Sequence, residues 1–293
     1  PALEKYYVSK EVPDFIIVFE GICNILNGHP TLDNKTYDMY HKNLFHTKLI
    51  NMDIVSPEPY RLNEYFNQKC DIAQAFDILI NKKGVRKLPA PTLILSKEEL
   101  LEGRKAVDEI KEKVKKEKLV IIQPFGRAIT QIDNSFIDKS NRSIEFTNLK
   151  KIIKKLQEKD WAVCVMAEFG IEFKDAGFKD EVAIPEIADL RNWAGLIKYA
   201  DHFLGCDSVG QHLSKAMETP ASVVMGATYP INTSYPDDKS FKIIDMGQFD
   251  REYDPIRISF DERISRKHER IMSMTPEIED YVVSAVNGDP IEE

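Results

Sequence analysis

The second half of the chain alternates short, uninterrupted apolar segments with longer segments in which apolar residues recur every three or four positions. Apolar runs without polar alternation are typical of parallel strands that are covered on both faces. The predicted strands are 119–126, 161–167, 202–206 and 221–226, and the predicted helices are 146–158, 189–200, 209–217 and 275–288. This alternation predicts an α/β fold built on a doubly wound parallel sheet.

The first half shows the same alternation with weaker signals. The pattern predicts strands at 14–20 and 92–96 and helices at 63–80 and 96–118. Ser96, followed three residues later by Glu99, forms a capping box that predicts where the last of these helices begins. The rest of that helix is rich in charge and has a thin apolar stripe, which is typical of a solvated helix that links two domains. Residues 127–143 are polar and helix-poor, which predicts a loop.

A chain of 293 residues is long enough for two domains. We place the N-terminal domain at 1–117, ending in the linker helix 96–117, and the C-terminal domain at 118–274. The final helical segment, 275–293, is expected to pack back on the N-terminal domain.

Composition narrows the possible partners. A net charge of −8 and a pI near 5.4 disfavour non-specific binding to nucleic acid, which needs a basic surface. The four cysteines lie far apart without a CxxC pair, which favours reduced, packed thiols over a disulfide or a metal site. No apolar run reaches the roughly 18 residues of a membrane span, and no signal peptide is visible. We therefore expect a cytoplasmic protein with no bound metal and no membrane span.

The segment "GCDSVGQHLSKAMETP", residues 205–220, places four chemically useful residues where a predicted strand turns into a helix. Ser208 is a natural N-cap, and the first turn of the helix offers unpaired N–H groups and the positive end of the dipole. Gly210 lets a ligand approach the backbone, and His212 can donate to an anion. Ligands of open α/β sheets bind at such strand ends, so the segment is a candidate phosphate or diphosphate site. An ordinary helix cap with a structural histidine is the alternative.

Neither a Walker loop nor a GxGxxG fingerprint occurs in the chain, so a nicotinamide-dependent oxidoreductase is disfavoured. The run "GCDSVGQHLSKAMETPASVVMGATYP" resembles instead the signature of glycosyltransferase family 9, the heptosyltransferase-like enzymes. That signature is an Asp-Ser/Thr-Gly-x-x-His-Leu-x-x-Ala run followed by a Pro, an apolar strand and a Phe-Gly-x-Thr-x-Pro turn. The matching positions are Asp207, Ser208, Gly210, His212, Leu213, Ala216, Pro220, Gly226, Thr228 and Pro230. Val209 is an extra residue before the glycine, and Met225 replaces the usual Phe.

The resemblance extends over nearly the whole chain and is strongest from 119 to 286. The segment from Arg142 to Met166 is similar to the family's basic-x-Trp helix and the strand after it, with Ile144 in place of the Trp. The segments 188–208 and 270–286 resemble the approach to the signature and the closing helix. In the first half, 18–33 is similar to the family's Asn-Pro-x-x-Asp region.

The resemblance implies a GT-B fold, in which two Rossmann-like domains face each other across a cleft. It also implies a metal-independent, inverting transfer of a sugar from a nucleotide-diphosphate donor that could be linked to ADP, UDP or GDP. The donor diphosphate would be held by Ser208, Val209, Gly210, Gln211, His212 and Thr228, with Asp207, Arg127 and Lys139 as further contacts. Arg142 would neutralise the charge that builds on the leaving group. The nucleobase is expected near 182–190, and an ordinary strand-to-helix connection is the alternative there.

Members of the family begin with a strand, a glycine-rich turn and a Gly-Asp-x-Leu run that holds the general base. The N-terminal domain of this sequence, which starts at Pro1, is therefore expected to lack its first strand and that base. Glu20, at the end of a predicted strand, is the candidate catalytic carboxylate, with a strand-end cap as its alternative. A catalytically degenerate relative that binds a nucleotide or a protein partner is the second hypothesis.

Acceptors in the family are mostly sugars of the lipopolysaccharide core, so a glycan or lipid-linked glycan is the expected acceptor. A modified DNA base is a further possibility that the acidic charge disfavours.

Overall fold

The computed structural model describes residues 59–126, 129–132, 135–138, 140–166, 182–187, 189–248, 251 and 270–289, together with the backbone of two short strands at 17–19 and 36–38. In the first half, the two strands β1 (Ile17–Phe19) and β2 (Thr36–Asp38) pair in parallel. They are followed by a 3₁₀ turn (Pro59–Arg61) and the helices α1 (Asn63–Phe66), α2 (Ile72–Asn81) and α3 (Lys97–Val114).

The second half supplies the main sheet and the helices that cover it. Its strands are β3 (Lys118–Gln123), β4 (Ile129–Ile132), β5 (Ser135–Asp138), β6 (Trp161–Val165), β7 (Val182–Ala183), β8 (His202–Cys206), β9 (Ala221–Met225) and β10 (Phe241–Asp245). Its helices are α4 (Phe146–Glu158), α5 (Leu190–Tyr199), α6 (Val209–Met217), α7 (Pro230–Thr233) and α8 (Pro276–Asn287).

Six of these strands form one sheet in the order β10-β9-β8-β3-β6-β7, and every neighbouring pair is parallel. Both faces of the central strand are buried. Val120 and Ile122 of β3 pack toward α4 and α8, whereas Leu119 and Ile121 pack toward α3, α5 and α6. The order, with β3 in the middle and crossovers running to both sides, is that of a doubly wound sheet. The predicted α/β class is therefore confirmed for this part of the chain.

Helix α3 begins where the capping box predicted. Ser96 Oγ accepts from the N–H of Glu99 at 3.1 Å, and the Glu99 carboxylate accepts from the N–H of Ser96 at 2.6 Å. The helix is less solvated than expected, because it crosses α5 at Gly103 and Gly195 with almost no space between the backbones. Arg191 of α5 closes the contact with two hydrogen bonds to Glu99, and this partner lowers the pKa of Glu99 to about 2.

The single helix predicted over 63–80 is wrong, because the structure breaks it in two. Gln68 adopts a left-handed conformation, with φ 58°, and ends the first turn. Asp71 then starts a new helix through its own capping box with Gln74, in which each residue's side chain accepts from the other's backbone N–H. The local capping energy of Asp71 outweighs the continuous apolar periodicity of this segment.

The structure also differs from the sequence-based prediction at two other segments. The strand predicted at 92–96 is wrong: this segment pairs with no described strand. Leu93 and Leu95 pack against the core, while Ile94 is exposed. The predicted loop 127–143 contains an antiparallel hairpin of β4 and β5. Ile129 and Phe136 pack against the core below α4, which gives this polar segment a buried side.

Among the described residues, helix α8 packs on α4 and on the main sheet. Its buried Glu279 accepts from Asn148 at 2.8 Å and pairs with Lys151 and Lys155 at 3.0 and 3.1 Å. The expected packing of this helix on the N-terminal domain, and the boundaries 117/118 and 274/275, stay predictions. The expected loss of a first strand falls on residues outside the described part of the chain. No described helix combines the length and apolar character that crossing a membrane requires.

Substituting Gly103→Ala is expected to destabilise the fold by about 1–3 kcal/mol, because the added Cβ would lie 2.4 Å from the carbonyl of Gly195. The matched control is Gly84→Ala, where the added Cβ would have no neighbour within 4 Å. Urea unfolding of both variants measures the effect. Equal free energies of unfolding for the two variants would contradict the tight helix crossing.

His202 makes the fold sensitive to acid. The imidazole is buried and lies 2.9 Å from Ser222 Oγ, and burial lowers its pKa from 6.5 to about 4. The unfolded chain therefore binds a proton that the folded chain does not, so this contribution to stability is present above pH ~6.5 and declines as the pH falls toward ~4. The loss amounts to about 3 kcal/mol at about 1.4 kcal/mol per pKa unit. Urea unfolding between pH ~7 and ~4.5 should show a steeper decline for the wild type than for His202→Gln, and parallel curves would refute this origin.

Candidate functional site

Strands β3 and β8 are neighbours at the point where the chain turns to opposite sides of the sheet. From β3 the chain crosses to β6, and from β8 it crosses to β9. Their carboxyl ends therefore diverge and leave a crevice, which is where open α/β sheets bind ligands. Gln123 ends β3, and Asp207 and Ser208 follow β8 at this edge. We call the carboxyl ends of β3, β8 and β9, with the loops that follow them, the switch edge.

Gln123 joins the two strand ends through its side chain. Its Nε2 donates to Ser208 Oγ at 3.1 Å, and its Oε1 accepts from the N–H of Gly210 at 2.7 Å. Ser208 occupies the predicted N-cap position of α6, but its hydroxyl caps no backbone N–H. The start of α6 is therefore held by Gln123 of the neighbouring strand β3 rather than by a side-chain cap from Ser208.

An unpaired backbone amide at the start of α6 points to an anion site. The N–H groups of Val209 and Gln211 have no acceptor among the described residues, whereas that of Gly210 is taken by Gln123. Unpaired N–H groups in the first turn carry the positive end of the helix dipole. Gln211 is fully buried, so of these two only the N–H of Val209 can bind a phosphate oxygen without a change in the fold.

The structure gives Gly210 a different role from the predicted one. A Cβ at this position would lie 2.4 Å from Gln123 Oε1 and 2.4 Å from the ring of Phe203. The glycine is therefore required for close packing against β3 and β8, and its amide is not available to a ligand. The side chain of Gln211 is also committed to the fold, since it is fully buried, donates to Asp207 at 3.1 Å and accepts from Ser234 at 2.7 Å.

His212 lies at the end of the first turn of α6. Its Nδ1 is 2.8 Å from the hydroxyl of Tyr235, and the two rings meet edge to face. Burial lowers the pKa of His212, although Asp207 and Asp71 act in the opposite direction. The imidazole is therefore neutral at pH 7 and can offer a hydrogen bond but not a positive charge.

Arg142 reaches the switch edge from the loop after the hairpin of β4 and β5. Its Nη1 lies 3.9 Å from an Asp207 oxygen, its Nε donates to Ser140 Oγ at 3.2 Å, and its guanidinium lies above Gly126. The structure thus brings together the predicted leaving-group cation and the predicted phosphate-binding turn. Guanidinium groups have five donors in a fixed plane, so several remain for a ligand.

Asp138 holds the loop that presents Arg142. Its two oxygens accept from the backbone N–H and hydroxyl groups of Ser140 and Ser143, at 2.5–2.9 Å, and from the N–H of Arg142 at 3.3 Å. Burial acts to raise the pKa of Asp138, but the bonds from Ser140 and Ser143 outweigh it, so the pKa is lowered. Ser143 continues the network by accepting from the N–H of Gly126 at 2.9 Å.

Thr228 belongs to the loop after β9, the third strand end at this edge. Its side chain is 5% exposed, and its hydroxyl has no hydrogen-bond partner among the described residues. The N–H of the preceding Ala227 donates to the carbonyl of Asn141 at 3.1 Å, which ties this loop to the loop of Arg142. A buried, unpaired hydroxyl in this loop is consistent with the predicted ligand contact.

Three of the predicted site residues, Glu20, Arg127 and Lys139, lie outside the described residues. The predicted nucleobase segment follows β7 at the far edge of the sheet, and its Ile187 lines a cavity of about 160 Å³ between α3 and α5. Its role stays a prediction. No group of three potential metal ligands occurs among the described residues.

Sequence reasoning missed Gln123, Asp138 and Tyr235. Gln123 carried a usable signal, because a polar residue ends an otherwise apolar strand. Asp138 and the following Lys-Ser-Asn-Arg-Ser run could have been interpreted as a turn organised by a carboxylate. Tyr235 gave no such signal, since only the folded chain brings it to His212.

No family model matches the chain, and no curated protein matches it. Solved structures with a similar fold include a family 9 glycosyl transferase from Veillonella parvula, with a TM-score of 0.45 and 10% identity, which covers 72% of this chain and 56% of that one. A second is the ADP-heptose LPS heptosyltransferase II of E. coli, with a TM-score of 0.41 and 14% identity over 60% and 53% of the two chains.

A third is the iron-containing heptosyltransferase TibC of E. coli in complex with ADP-D-β-D-heptose, with a TM-score of 0.40 and 15% identity over 75% and 54% of the two chains. The chain therefore spans about half the length of these structures. They belong to the same heptosyltransferase-like group that the sequence motifs resemble. At 10–15% identity, the likeness is one of fold.

Substituting Asp138→Asn should lower the free energy of unfolding by about 1–3 kcal/mol, because an amide cannot accept from all five donors around this side chain. Asp108→Asn on the exposed face of α3 is the control, since that carboxylate is 69% exposed. Urea unfolding at pH ~7 compares the two. A loss for Asp138→Asn no larger than that of the control would contradict the role of Asp138 in holding the loop.

Proposed function

We propose that this protein is a glycosyltransferase that moves a sugar from a nucleotide-diphosphate donor to an acceptor hydroxyl. One observation carries the proposal: the unpaired N–H of Val209, in the first turn of α6, lies at the same strand edge as the guanidinium of Arg142. The resemblance of the sequence to glycosyltransferase family 9 supports it and supplies the reaction type.

The reaction places a growing negative charge on the departing nucleoside diphosphate. The oxygen of the acceptor hydroxyl forms a bond to the anomeric carbon while the bond from that carbon to the diphosphate oxygen breaks. Attack from the opposite face inverts the configuration. Donors that are already fixed in place stabilise this charge without reorganisation. In the proposed complex, the Val209 amide and the hydroxyl of Thr228 bind diphosphate oxygens, and Arg142 neutralises the leaving group, so that no metal is required.

A base must take the proton of the acceptor hydroxyl. Glu20 is the candidate named from the sequence. The proposed acceptor is a glycan or lipid-linked glycan, since the net charge of −8 is unfavourable for a DNA acceptor.

The chain should bind at least one of ADP, UDP and GDP, and Arg142→Gln should weaken that binding about ten- to hundredfold. A charge-assisted hydrogen bond contributes about 1.5–3 kcal/mol, which corresponds to this factor. Isothermal titration calorimetry with each nucleoside diphosphate measures it. Arg104→Gln on α3 is the matched control, because that side chain is 68% exposed and pairs only with a neighbour on its own helix. Equal affinities of the two variants for the nucleoside diphosphate would contradict a role of Arg142 in binding it.

An assay for the release of nucleoside diphosphate from a nucleotide sugar distinguishes catalysis from binding alone. Turnover with a glycan acceptor, followed by analysis of the anomeric configuration of the product, tests transfer and inversion together. Binding without any release of the nucleoside diphosphate would favour the catalytically degenerate relative. Binding of none of the three nucleoside diphosphates would contradict the glycosyltransferase and leave, of the second hypothesis, only a relative that binds a protein partner.

A further inference from the structure

The contact between His212 and Tyr235 has a chemical consequence for the switch edge. Tyr235 follows α7, whereas His212 belongs to α6, and the distance from the phenol oxygen to Nδ1 is 2.8 Å. The Tyr235 ring is held on two further sides, by the ring of Phe241 at 5.0 Å between centroids and by the ammonium of Lys215 at 5.6 Å from its centroid. Its hydroxyl is therefore fixed rather than free to follow the histidine.

The direction of this hydrogen bond follows from the acidities of the partners. A phenol is a far stronger acid than the N–H of a neutral imidazole, so the favoured arrangement has the hydroxyl as donor and Nδ1 as acceptor. In the reverse arrangement the phenol proton would need a second acceptor, and the described residues supply none. Burial and Asp71 raise the pKa of Tyr235, so the hydroxyl keeps its proton at neutral pH.

We propose that Tyr235 is a positioning residue: its hydroxyl donates to Nδ1 of His212 and fixes the single proton of the neutral imidazole on Nε2. That N–H is then a hydrogen-bond donor to an oxygen of the diphosphate. The ligand in this inference rests on the proposed function, whereas the location of the proton does not.

The surroundings of His212 keep this donor neutral. Two carboxylates act on the imidazole, Asp207 from the start of α6 and Asp71 from the cap of α2, and each favours the charged form. Burial opposes both and outweighs them. The nearby ammonium of Lys215 is already paired with Asp238. The donor therefore carries no charge at pH ~7 and above.

The tautomer can be observed directly in the free protein. Long-range ¹H–¹⁵N correlation spectra distinguish the two neutral tautomers and the imidazolium, and the chain has only 6 histidines. The signal of His212 is assigned by its loss in His212→Gln. The wild type should show an unprotonated Nδ1 and a protonated Nε2 at pH ~7 and above. A protonated Nδ1, or an imidazolium at pH ~7, would overturn the inference, and this result does not depend on any variant of Tyr235.

Tyr235→Phe tests whether the hydroxyl sets the tautomer. Phe keeps the ring packing and removes the donor, so the imidazole should become a mixture of tautomers, and the affinity for the nucleoside diphosphate should fall about threefold to tenfold. Tyr281→Phe is the control, because this tyrosine lies on α8 and its ring meets Lys242 rather than α6. It should change neither the spectrum nor the affinity.

The outcomes separate this inference from the proposed function. If Tyr235→Phe keeps both the wild-type tautomer and the wild-type affinity, Tyr235 does not position His212. If the wild type has the expected tautomer but binds none of ADP, UDP and GDP, the proposed function and the ligand named here fail, while the placement of the proton by Tyr235 stands.

Discussion

The candidate site depends on one side chain, that of Gln123. This residue ends the central strand, and its amide group bonds both to the hydroxyl before α6 and to the second amide of that helix. Because β3 and β8 are also joined by their parallel backbone pairing, the start of α6 has a fixed position at the point where the two crossovers diverge. Only 8% of the surface of Gln123 is exposed, so these bonds are sheltered from competition by water.

Polar groups at this edge fall into two classes. The first class holds the fold: Gly210 fits between β3 and β8, the side chain of Gln211 links Asp207 to Ser234, and Asp138 organises the loop before α4. The second class is left for a ligand and comprises the amide of Val209, a buried hydroxyl and part of a guanidinium. Such a division is what a prearranged anion site requires, because its donors are oriented before the ligand arrives. Asp207 belongs to both classes, since it accepts from Gln211 and faces Arg142.

The sequence was informative where local pattern decides the structure. Uninterrupted apolar runs predicted β3, β6, β8 and β9, because strands buried on both faces need no polar alternation. The residues and the family resemblance also predicted the turn before α6 and the cation at Arg142, which the structure brings to the same edge, while their roles stay predictions. The helix break at Asp71 was missed because two signals in the sequence conflict there. The capping box of Asp71 and Gln74 predicts a new helix, whereas the apolar periodicity predicts a continuous one.

Contacts between distant segments explain the features of the site that the sequence did not predict. The role of Gly210 depends on Phe203 and Gln123, and the second of these lies 87 positions away in the chain. Tyr235 reaches His212 only because α7 and the loop after it fold over α6. Neither contact has a signature in a single sequence: Gln123 stands out as a polar residue at the end of an apolar strand, but nothing in the sequence pairs it with Gly210.

Amide hydrogen exchange in the presence of a saturating nucleoside diphosphate tests the central claim most directly, because the claim concerns particular backbone N–H groups. The account predicts slower exchange in the peptide that contains Val209 and Gln211 and in the one that contains Arg142, with little change in α8. Unchanged exchange at 207–212 together with protection elsewhere in the chain would contradict a diphosphate site at the switch edge.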